Sequence, residues 1–274
     1  MPSAKLSVVS ALLLAAAALL AGCSTKPVDL TAKMTPEEIL AEAREEVYNL
    51  QYSKAIGLFE KLEGRAAGTP LAQQAQLEKA HAHYKNEEPA QAIATLDRFI
   101  RLHPASPALD YALYFKGVVN FNENLGVFSS LTRQDLAERD QQAAKESFAS
   151  FKELVTRFPN SRYTPDASAR MTHIVNSLAK YEVHVARYYF SRGAHLAAIN
   201  RAQQAIADYR DAPALEEALY ILMQSYDALQ LPQLRDDARR VLQTNYPQSR
   251  YIGGSGSEEA PTTTVRQGPW WKLW

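Results

Sequence analysis

Residues 69–104 read TPLAQQAQLEKAHAHYKNEEPAQAIATLDRFIRLHP, and this stretch decides the fold. Thr69-Pro70 predicts a helix start, because the hydroxyl can accept a free backbone N–H and proline at the first helical position loses no hydrogen bond. The polar segment 86–89 predicts a break in the helix. Small residues lie on both sides of the break, at Ala80 and Ala92, where two antiparallel helices can approach closely. The stretch therefore predicts a helix-turn-helix hairpin.

The same start signal recurs along the chain. It is found at Thr35-Pro36, Ser106-Pro107 and Thr164-Pro165, with Ala212-Pro213 as a weaker form. Successive starts lie 34, 37, 58 and 48 residues apart, and the first two spacings match the tetratricopeptide (TPR) repeat. Two segments also return later in the chain: 107–114 as 213–220, and 159–163 as 247–251. The sequence thus predicts an all-α fold, an α-solenoid of about five TPR-like helix hairpins.

The third and fourth hairpins depart from the repeat length. Gly117 and Ser147 take the small packing positions of the third hairpin, but they lie 18 residues further apart than in the others, which predicts an insertion at 122–142. Residues 165–190 contain no helix breaker, so we expect one long amphipathic helix linking N- and C-terminal halves. The predicted boundaries are a signal peptide at 1–22, a lipidated tether at 23–34, N-terminal repeats at 35–162, C-terminal repeats at 163–251 and a tail at 252–274 with a Trp-rich end.

The N-terminus has the layout of a bacterial lipoprotein signal. Lys5 precedes the apolar run Val8–Leu20, whose 13 residues would span only about 20 Å as a helix, too short for a bilayer core of ~30 Å. A permanent transmembrane anchor is therefore the less favoured alternative. The run ends in Leu20-Ala21-Gly22-Cys23, which resembles a lipobox, and Cys23 is the only cysteine. We expect Cys23 to carry an S-diacylglyceryl group and an N-palmitoyl chain; a chance cysteine after an ordinary signal peptide is the alternative.

The composition argues against nucleic-acid binding and against catalysis. Thirty basic and thirty acidic residues are interspersed throughout the chain, so no basic face is predicted for phosphates. Of the six histidines, His81 and His83 are two apart, which places them on different sides of a helix rather than at one metal site. The sequence contains no Gly-rich phosphate loop and no nucleophile elbow. We therefore predict a protein that is not an enzyme and needs no cofactor or metal.

A helical repeat binds its ligands along the face formed by the first helix of each hairpin. Counting from the packing positions puts one cation and several aromatic rings on that face in the first three hairpins. The predicted groove residues are Arg44, Val47, His81, Tyr84, Tyr111, Tyr114 and Phe121. The equal alternative is that some of these rings fill the core between repeats. The tail tryptophans Trp270, Trp271 and Trp274 predict docking, either on a partner or on the chain itself.

Several segments resemble the BamD family (also called ComL or YfiO), TPR lipoproteins of the outer-membrane β-barrel assembly (Bam) machinery. The matching residues are His103-Pro104, 110–114, Lys116-Gly117, Arg139-Asp140, Ser147-Phe148, Phe151, 157–159, Ser161, 178–183, 185–189, Arg192-Gly193 and Asn200-Arg201. The resemblance runs from the lipobox to about Tyr251. It is far more specific than TPR spacing alone.

The resemblance implies a non-enzymatic scaffold and substrate receptor for inserting β-barrel proteins into the outer membrane. The C-terminal repeats would grip a POTRA domain of the barrel protein BamA and the small Bam lipoproteins, with Arg201, Asn200 and Arg192 facing BamA. The N-terminal repeats would receive C-terminal segments of unfolded outer-membrane proteins, which end in an aromatic residue and a carboxylate. Ser24 after the lipidated cysteine implies an outer-membrane anchor facing the periplasm.

Two departures from the family pattern limit what can be carried over. Residues 65–70, Arg-Ala-Ala-Gly-Thr-Pro, replace an aromatic segment that the family often has between its first two repeats, and the tail beyond Tyr251 is unlike shorter members. Two other functions stay open at this point. One is a TPR lipoprotein that binds peptidoglycan or recruits cell-wall hydrolases, and the other is a hydrolase with an unrecognised site.

Overall fold

The structure is a computed structural model, and it describes residues 30–121 and 135–252. In these ranges the chain forms a short 3₁₀ helix, Leu30–Lys33, and ten α-helices, with no strand. The helices are α1 (Pro36–Tyr48), α2 (Tyr52–Arg65), α3 (Pro70–Lys85), α4 (Pro89–Leu102), α5 (Leu109–Asn120), α6 (Asp135–Arg157), α7 (Thr164–Ser191), α8 (His195–Asp208), α9 (Leu215–Ala228) and α10 (Pro232–Asn245). The predicted all-helical fold is confirmed. None of the described helices is both long enough and apolar enough to cross a membrane.

Two of the predicted helix starts have the expected cap. The Thr35 hydroxyl accepts the Glu38 N–H at 3.2 Å while the Thr35 N–H donates to the Glu38 carboxylate at 2.7 Å, a complete capping box. The Thr69 hydroxyl accepts from the Ala72 N–H at 3.4 Å. These contacts satisfy backbone donors that a helix N-terminus otherwise leaves open.

The other three starts were predicted at the wrong residue. Helices α5 and α9 begin at Leu109 and Leu215, two residues after the prolines, because a turn precedes each of them. Helix α7 begins at Thr164, and the Thr164 hydroxyl donates to the Phe158 carbonyl at 2.8 Å instead of capping its own helix.

The predicted break at 86–89 lies at the junction of α3 and α4. Two positions after the last residue of α1, α3, α7 and α9, the chain has a residue with positive φ: Leu50, Glu87, Gly193 and Gln230. This left-handed geometry ends the helix and turns the chain toward the second helix. Only one of the four is glycine, so the other three accept a conformation that costs a side-chain-bearing residue energy.

The chain divides into two compact units, Met1–Ala82 and His83–Trp274. Unit 1 has a core built around Ile39, Phe59 and Leu62, all fully buried. Ala43 and Ala55, which have the same spacing as Ala80 and Ala92, are also fully buried there. The 3₁₀ helix at the end of the predicted tether is held by the Arg65 side chain, which donates to the Thr31 carbonyl and, at 3.1 Å, to the Thr31 hydroxyl.

Unit 2 contains two core clusters, and α7 belongs to both. The N-terminal half of α7 contributes Ala167 and Ile174 to a cluster with helices α5 and α6. Its C-terminal half contributes Val183 and Ala186 to a second cluster with α8, α9 and α10. The predicted long helix is therefore confirmed, and within unit 2 it joins the two clusters.

The third hairpin packs through the predicted small residues. The buried Ser147 hydroxyl donates to the Gly117 carbonyl at 2.8 Å. A Cβ at Gly117 would lie 2.4 to 2.8 Å from ring atoms of Phe151, so only glycine allows this approach. The predicted insertion at 122–142 is too long, because α6 already begins at Asp135; residues 122–134 lie outside the described residues. The signal peptide, Cys23 and the Trp-rich end also lie outside them.

The internal sequence echo is reproduced by side-chain contacts. Tyr163 stacks on Tyr114 at 4.7 Å, and Tyr251 stacks on Tyr220 at 4.4 Å. The preceding arginine lies over the ring in both cases, Arg162 at 4.8 Å and Arg250 at 4.7 Å. The segments 159–163 and 247–251 therefore make equivalent contacts, each with the first helix of its own hairpin.

Candidate functional site

The predicted groove cation in unit 1, Arg44, is already paired. Its Nε donates to Glu78 at 2.9 Å and its terminal nitrogen bonds the other carboxylate oxygen, which joins the first helices of the first two hairpins. The side chain is half exposed. The Glu78 hydrogen bond raises the pKa of Arg44. A ligand carboxylate at Arg44 would therefore compete with Glu78.

Two predicted groove residues lie on α3. His81, in unit 1, is half-buried. Tyr84, in unit 2, is 37% exposed and meets the Phe115 ring edge-on at 5.7 Å. No three His, Cys, Asp or Glu side chains come together as metal ligands anywhere in the described ranges.

Tyr84 is the first ring of a continuous aromatic series in unit 2. Phe115, which contacts it, stacks parallel to Tyr111 at 5.8 Å. Tyr111 contacts Tyr163 at 5.7 Å, and Tyr163 stacks on Tyr114. The structure therefore brings together three of the predicted residues, Tyr84, Tyr111 and Tyr114, through two rings that the sequence analysis did not single out.

Tyr114 is tied into the core rather than left open. Its hydroxyl donates to Asp166 at 2.8 Å, and Arg170 donates to the same carboxylate oxygen at 2.6 Å. Burial and the Asp166 carboxylate raise the pKa of Tyr114 to about 12. The ring also packs against the fully buried Phe151. Tyr114 therefore supports the neighbouring Tyr163 ring from the core side, and it does not itself offer a surface to a ligand.

Phe121 has a similar structural role. It follows α5, and its ring contacts Phe151 at 6.4 Å and His173 at 5.7 Å, while the Arg170 guanidinium lies over it at 4.7 Å. For Tyr114 and Phe121 the structure thus favours the core alternative.

Replacing Tyr114 with phenylalanine tests this role. We expect the free energy of unfolding at pH 7 to fall by about 1 kcal/mol, the usual net value of one hydrogen bond. Because the folded pKa lies above the ordinary value near 10, the wild type gains stability from this hydroxyl below pH 10 and loses it as the pH rises toward 12. The free energy of unfolding, measured with urea at each pH from 7 to 12, should therefore fall less steeply in the variant. An unchanged slope would contradict this, and Tyr48→Phe, at an 86% exposed residue, is the control.

An exposed cation, Arg162, lies next to Tyr163 of the aromatic series, and it was not predicted from the sequence. Asp110, Tyr111, Arg162 and Tyr163 line one concavity at the start of α5. Arg162 is exposed and donates to the Tyr163 hydroxyl at 2.6 Å, one of its five N–H donors. The Tyr163 hydroxyl raises the pKa of Arg162. The repetition of Ser-Arg-Tyr at 161–163 and 249–251 is the sequence feature from which Arg162 could have been predicted.

Among the residues predicted to face a partner, Arg201 has the most constrained environment. On α8, it donates to Glu182 of α7 at 3.2 Å. The Glu182 side chain is only 7% exposed, whereas that of Arg201 is 42% exposed. Arg201 therefore neutralises a buried carboxylate while part of its guanidinium reaches solvent. Sequence analysis missed Glu182, although an acidic residue between Leu178 and Ala186 at core spacing predicts a buried partner.

The other two residues predicted to face a partner are exposed. Asn200 is exposed on α8 beside Arg201. Arg192, in the turn before α8, lies over the half-exposed Tyr188 ring at 4.8 Å. These side chains offer polar and cationic groups for contact with a protein.

Comparison with known proteins assigns the family. A sequence model of the YfiO family, described as an outer membrane lipoprotein, matches residues 32–242. A solved TPR-like repeat protein from Podosopora anserina is 17% identical to this chain with a TM-score of 0.35, and the match covers 78% of this chain and 96% of that protein.

Curated relatives agree with this family match. A protein named outer membrane protein assembly factor BamD from Neisseria meningitidis serogroup B is 43% identical, covering 93% of this chain and 95% of its own. Proteins of the same name from Neisseria gonorrhoeae and Vibrio cholerae are 42% and 34% identical, covering 92% and 85% of this chain and 92% and 96% of their own. The resemblance drawn from the motifs is thereby confirmed: the chain belongs to the YfiO (BamD) family of outer membrane lipoproteins.

Proposed function

We propose that this protein is a non-enzymatic assembly factor that acts in the Bam complex to insert β-barrel proteins into the outer membrane. The observation that carries the proposal is the identity of 43% and 42%, over more than nine-tenths of both chains, with relatives named outer membrane protein assembly factor BamD. Stacked helical hairpins are suited to the task because they present extended surfaces to other proteins.

Depletion of the protein tests this function. The levels of many different β-barrel proteins in the outer membrane should fall together, and the protein should copurify with the barrel protein BamA. Unchanged barrel levels would overturn the proposal. Copurification with cell-wall hydrolases in place of BamA would favour the alternative of a peptidoglycan-associated lipoprotein.

We further propose that lipid on Cys23 holds the protein on the periplasmic face of the outer membrane. Two chains on the thioether and one on the amino terminus exceed what stable anchoring needs. The variant Cys23→Ala should lose all metabolic labelling with radioactive palmitate and should keep its signal peptide. Labelling equal to that of the wild type would contradict the assignment.

The concavity at Arg162 is the proposed receptor for C-terminal segments of unfolded outer-membrane proteins. Such a segment ends in an aromatic ring and a carboxylate. Tyr111 and Tyr163 supply ring surfaces, and the exposed Arg162 supplies donors of the right charge. Arg44 suits the carboxylate less well, because Glu78 already accepts from its guanidinium.

Replacing Arg162 with glutamine should weaken binding of a peptide that ends in phenylalanine. A charge-assisted hydrogen bond to an exposed cation contributes about 1.5 kcal/mol, so the dissociation constant should rise about tenfold. Fluorescence anisotropy with a labelled peptide measures the effect. The matched control is Arg250→Gln, since Arg250 makes the same contacts with Tyr251 in the last hairpin.

Amidation of the peptide shows whether the carboxylate is the group recognised. It should weaken binding to the wild type and have no further effect on Arg162→Gln, because both changes remove the same contact. Equal losses in both proteins would contradict the contact.

The partner surface is proposed to include Arg201, Asn200 and Arg192. We assign it to a POTRA domain of BamA, with the small Bam lipoproteins on the neighbouring C-terminal repeats. The exposure of Asn200 and Arg192 and the partial exposure of Arg201 support this assignment.

A further inference from the structure

An apolar groove lies between α8 and α10, and we call it the C-terminal groove. Helix α9 packs against both of these helices and forms the floor with Leu222 and Tyr226. Ile206 of α8 and Leu234 and Val241 of α10 form the walls, and the cavity measures about 330 Å³. This volume lies at the lower end of sites that hold a bound molecule. Asp237 is an acidic residue on the rim.

The walls of the groove include apolar side chains that are partly exposed to solvent. Leu234 and Val241 are 45% and 41% exposed, although the floor residues Leu222 and Tyr226 are buried. The two wall residues are seven positions apart on α10, with Ala238 between them, so they form one stripe along the helix. An exposed apolar stripe beside a groove is a surface that an apolar segment can cover.

The chain itself supplies a segment of matching chemistry. All three tryptophans lie in the final stretch PWWKLW, residues 269–274, which lies outside the described residues. Each indole can bury about 150–250 Å² of largely apolar surface. Asp237 on the rim already accepts a hydrogen bond from Arg240, so the match is one of apolar surface.

The length of the connection fits this groove. The described chain ends at Ile252, shortly after α10, which is itself a wall of the groove. The segment 253–269 begins Gly-Gly-Ser-Gly-Ser, and a Gly/Ser-type chain of this length has an end-to-end distance of about 20–25 Å. Helix α10 is about 21 Å long at 1.5 Å per residue. The tryptophans can therefore reach every part of the groove, at an effective concentration on the order of millimolar.

We propose that the Trp-rich end, residues 269–274, docks in the C-terminal groove of its own chain. Docking covers Leu234 and Val241 with indole rings. The proposal goes beyond the assembly function, because it assigns a docking site to the Trp-rich end, a segment to which that function gives no role.

Tryptophan fluorescence tests the proposal directly, because every tryptophan of the chain lies in this segment. The protein to use is residues 24–274, which keeps every described helix and needs no detergent that would compete for the indoles. We expect emission at the shorter wavelength of buried indole and protection from acrylamide. The wall variants Leu234→Glu and Val241→Glu should shift the emission to longer wavelength. They should also raise the acrylamide quenching constant to that of a free PWWKLW peptide.

Leu196→Glu is the matched control, since Leu196 is 67% exposed on α8 but does not line the groove. This variant should leave the emission unchanged. Emission typical of solvent-exposed indoles in the wild type, or emission that neither wall variant changes, would overturn the proposal. A shift to longer wavelength on dilution, together with a concentration-dependent mass in sedimentation, would also overturn it, because the indoles would then occupy the groove of a second copy.

Discussion

Replacing Gly117 with alanine is expected to destabilise unit 2, although alanine is the better helix former. The new Cβ would lie 2.4 to 2.8 Å from three ring atoms of Phe151, closer than any real contact. Phe151 is fully buried and packs against Tyr114 and Phe121, so its ring cannot move aside. Overpacking of this kind costs about 1–3 kcal/mol, which exceeds the roughly 1 kcal/mol gained from helix propensity. Urea unfolding followed by circular dichroism measures the difference.

Gly57→Ala is the control, because Gly57 lies inside α2 with no atom near its Cβ position. That change should stabilise the protein by about 0.5–1 kcal/mol. Adding Phe151→Leu should recover part of the loss in Gly117→Ala, since leucine leaves room for the new methyl group. Strictly additive effects of the two substitutions would contradict the contact, because residues that touch are coupled.

The second large effect is expected at Arg201. The variant Arg201→Glu removes the partner of the buried Glu182 and places a second carboxylate beside it. Removing one partner of a fully buried ion pair costs about 3–5 kcal/mol. Since the Arg201 side chain is 42% exposed and partly screened by water, we expect a smaller loss, about 1–3 kcal/mol. Urea unfolding should show this loss, and an unchanged midpoint would contradict the pairing.

This structural role means that loss of BamA binding by Arg201→Glu alone has two possible causes. The double variant Glu182→Gln with Arg201→Gln separates them, because two neutral amides can hydrogen-bond and no unpaired charge remains. If Arg201 contacts BamA, the double variant should fold normally and still fail to copurify BamA. Glu182→Gln alone keeps the guanidinium and should retain binding. Normal binding by the double variant would limit Arg201 to a structural role.

Local sequence determined the helices and their pairing. Capping at Thr35, the hairpin break at 86–89 and the long helix across 165–190 all depend on neighbouring residues, so sequence patterns predict them. The close contact of Gly117 with Ser147 could also be predicted, because small residues where the two helices of a hairpin meet allow the helices to approach closely. The family, likewise, was evident from motif runs alone.

Only the tertiary structure decided which groove side chains are available to a ligand. Arg44 has the right charge, but Glu78, 34 residues away, accepts from it. Tyr114 and Phe121 have the right rings, but Asp166 and Phe151 hold them in the core, whereas the unpredicted Arg162 remains exposed. Helical periodicity assigns a residue to a face of its own helix. Its partners come from other helices, so pairing and burial are set by packing between segments distant in sequence.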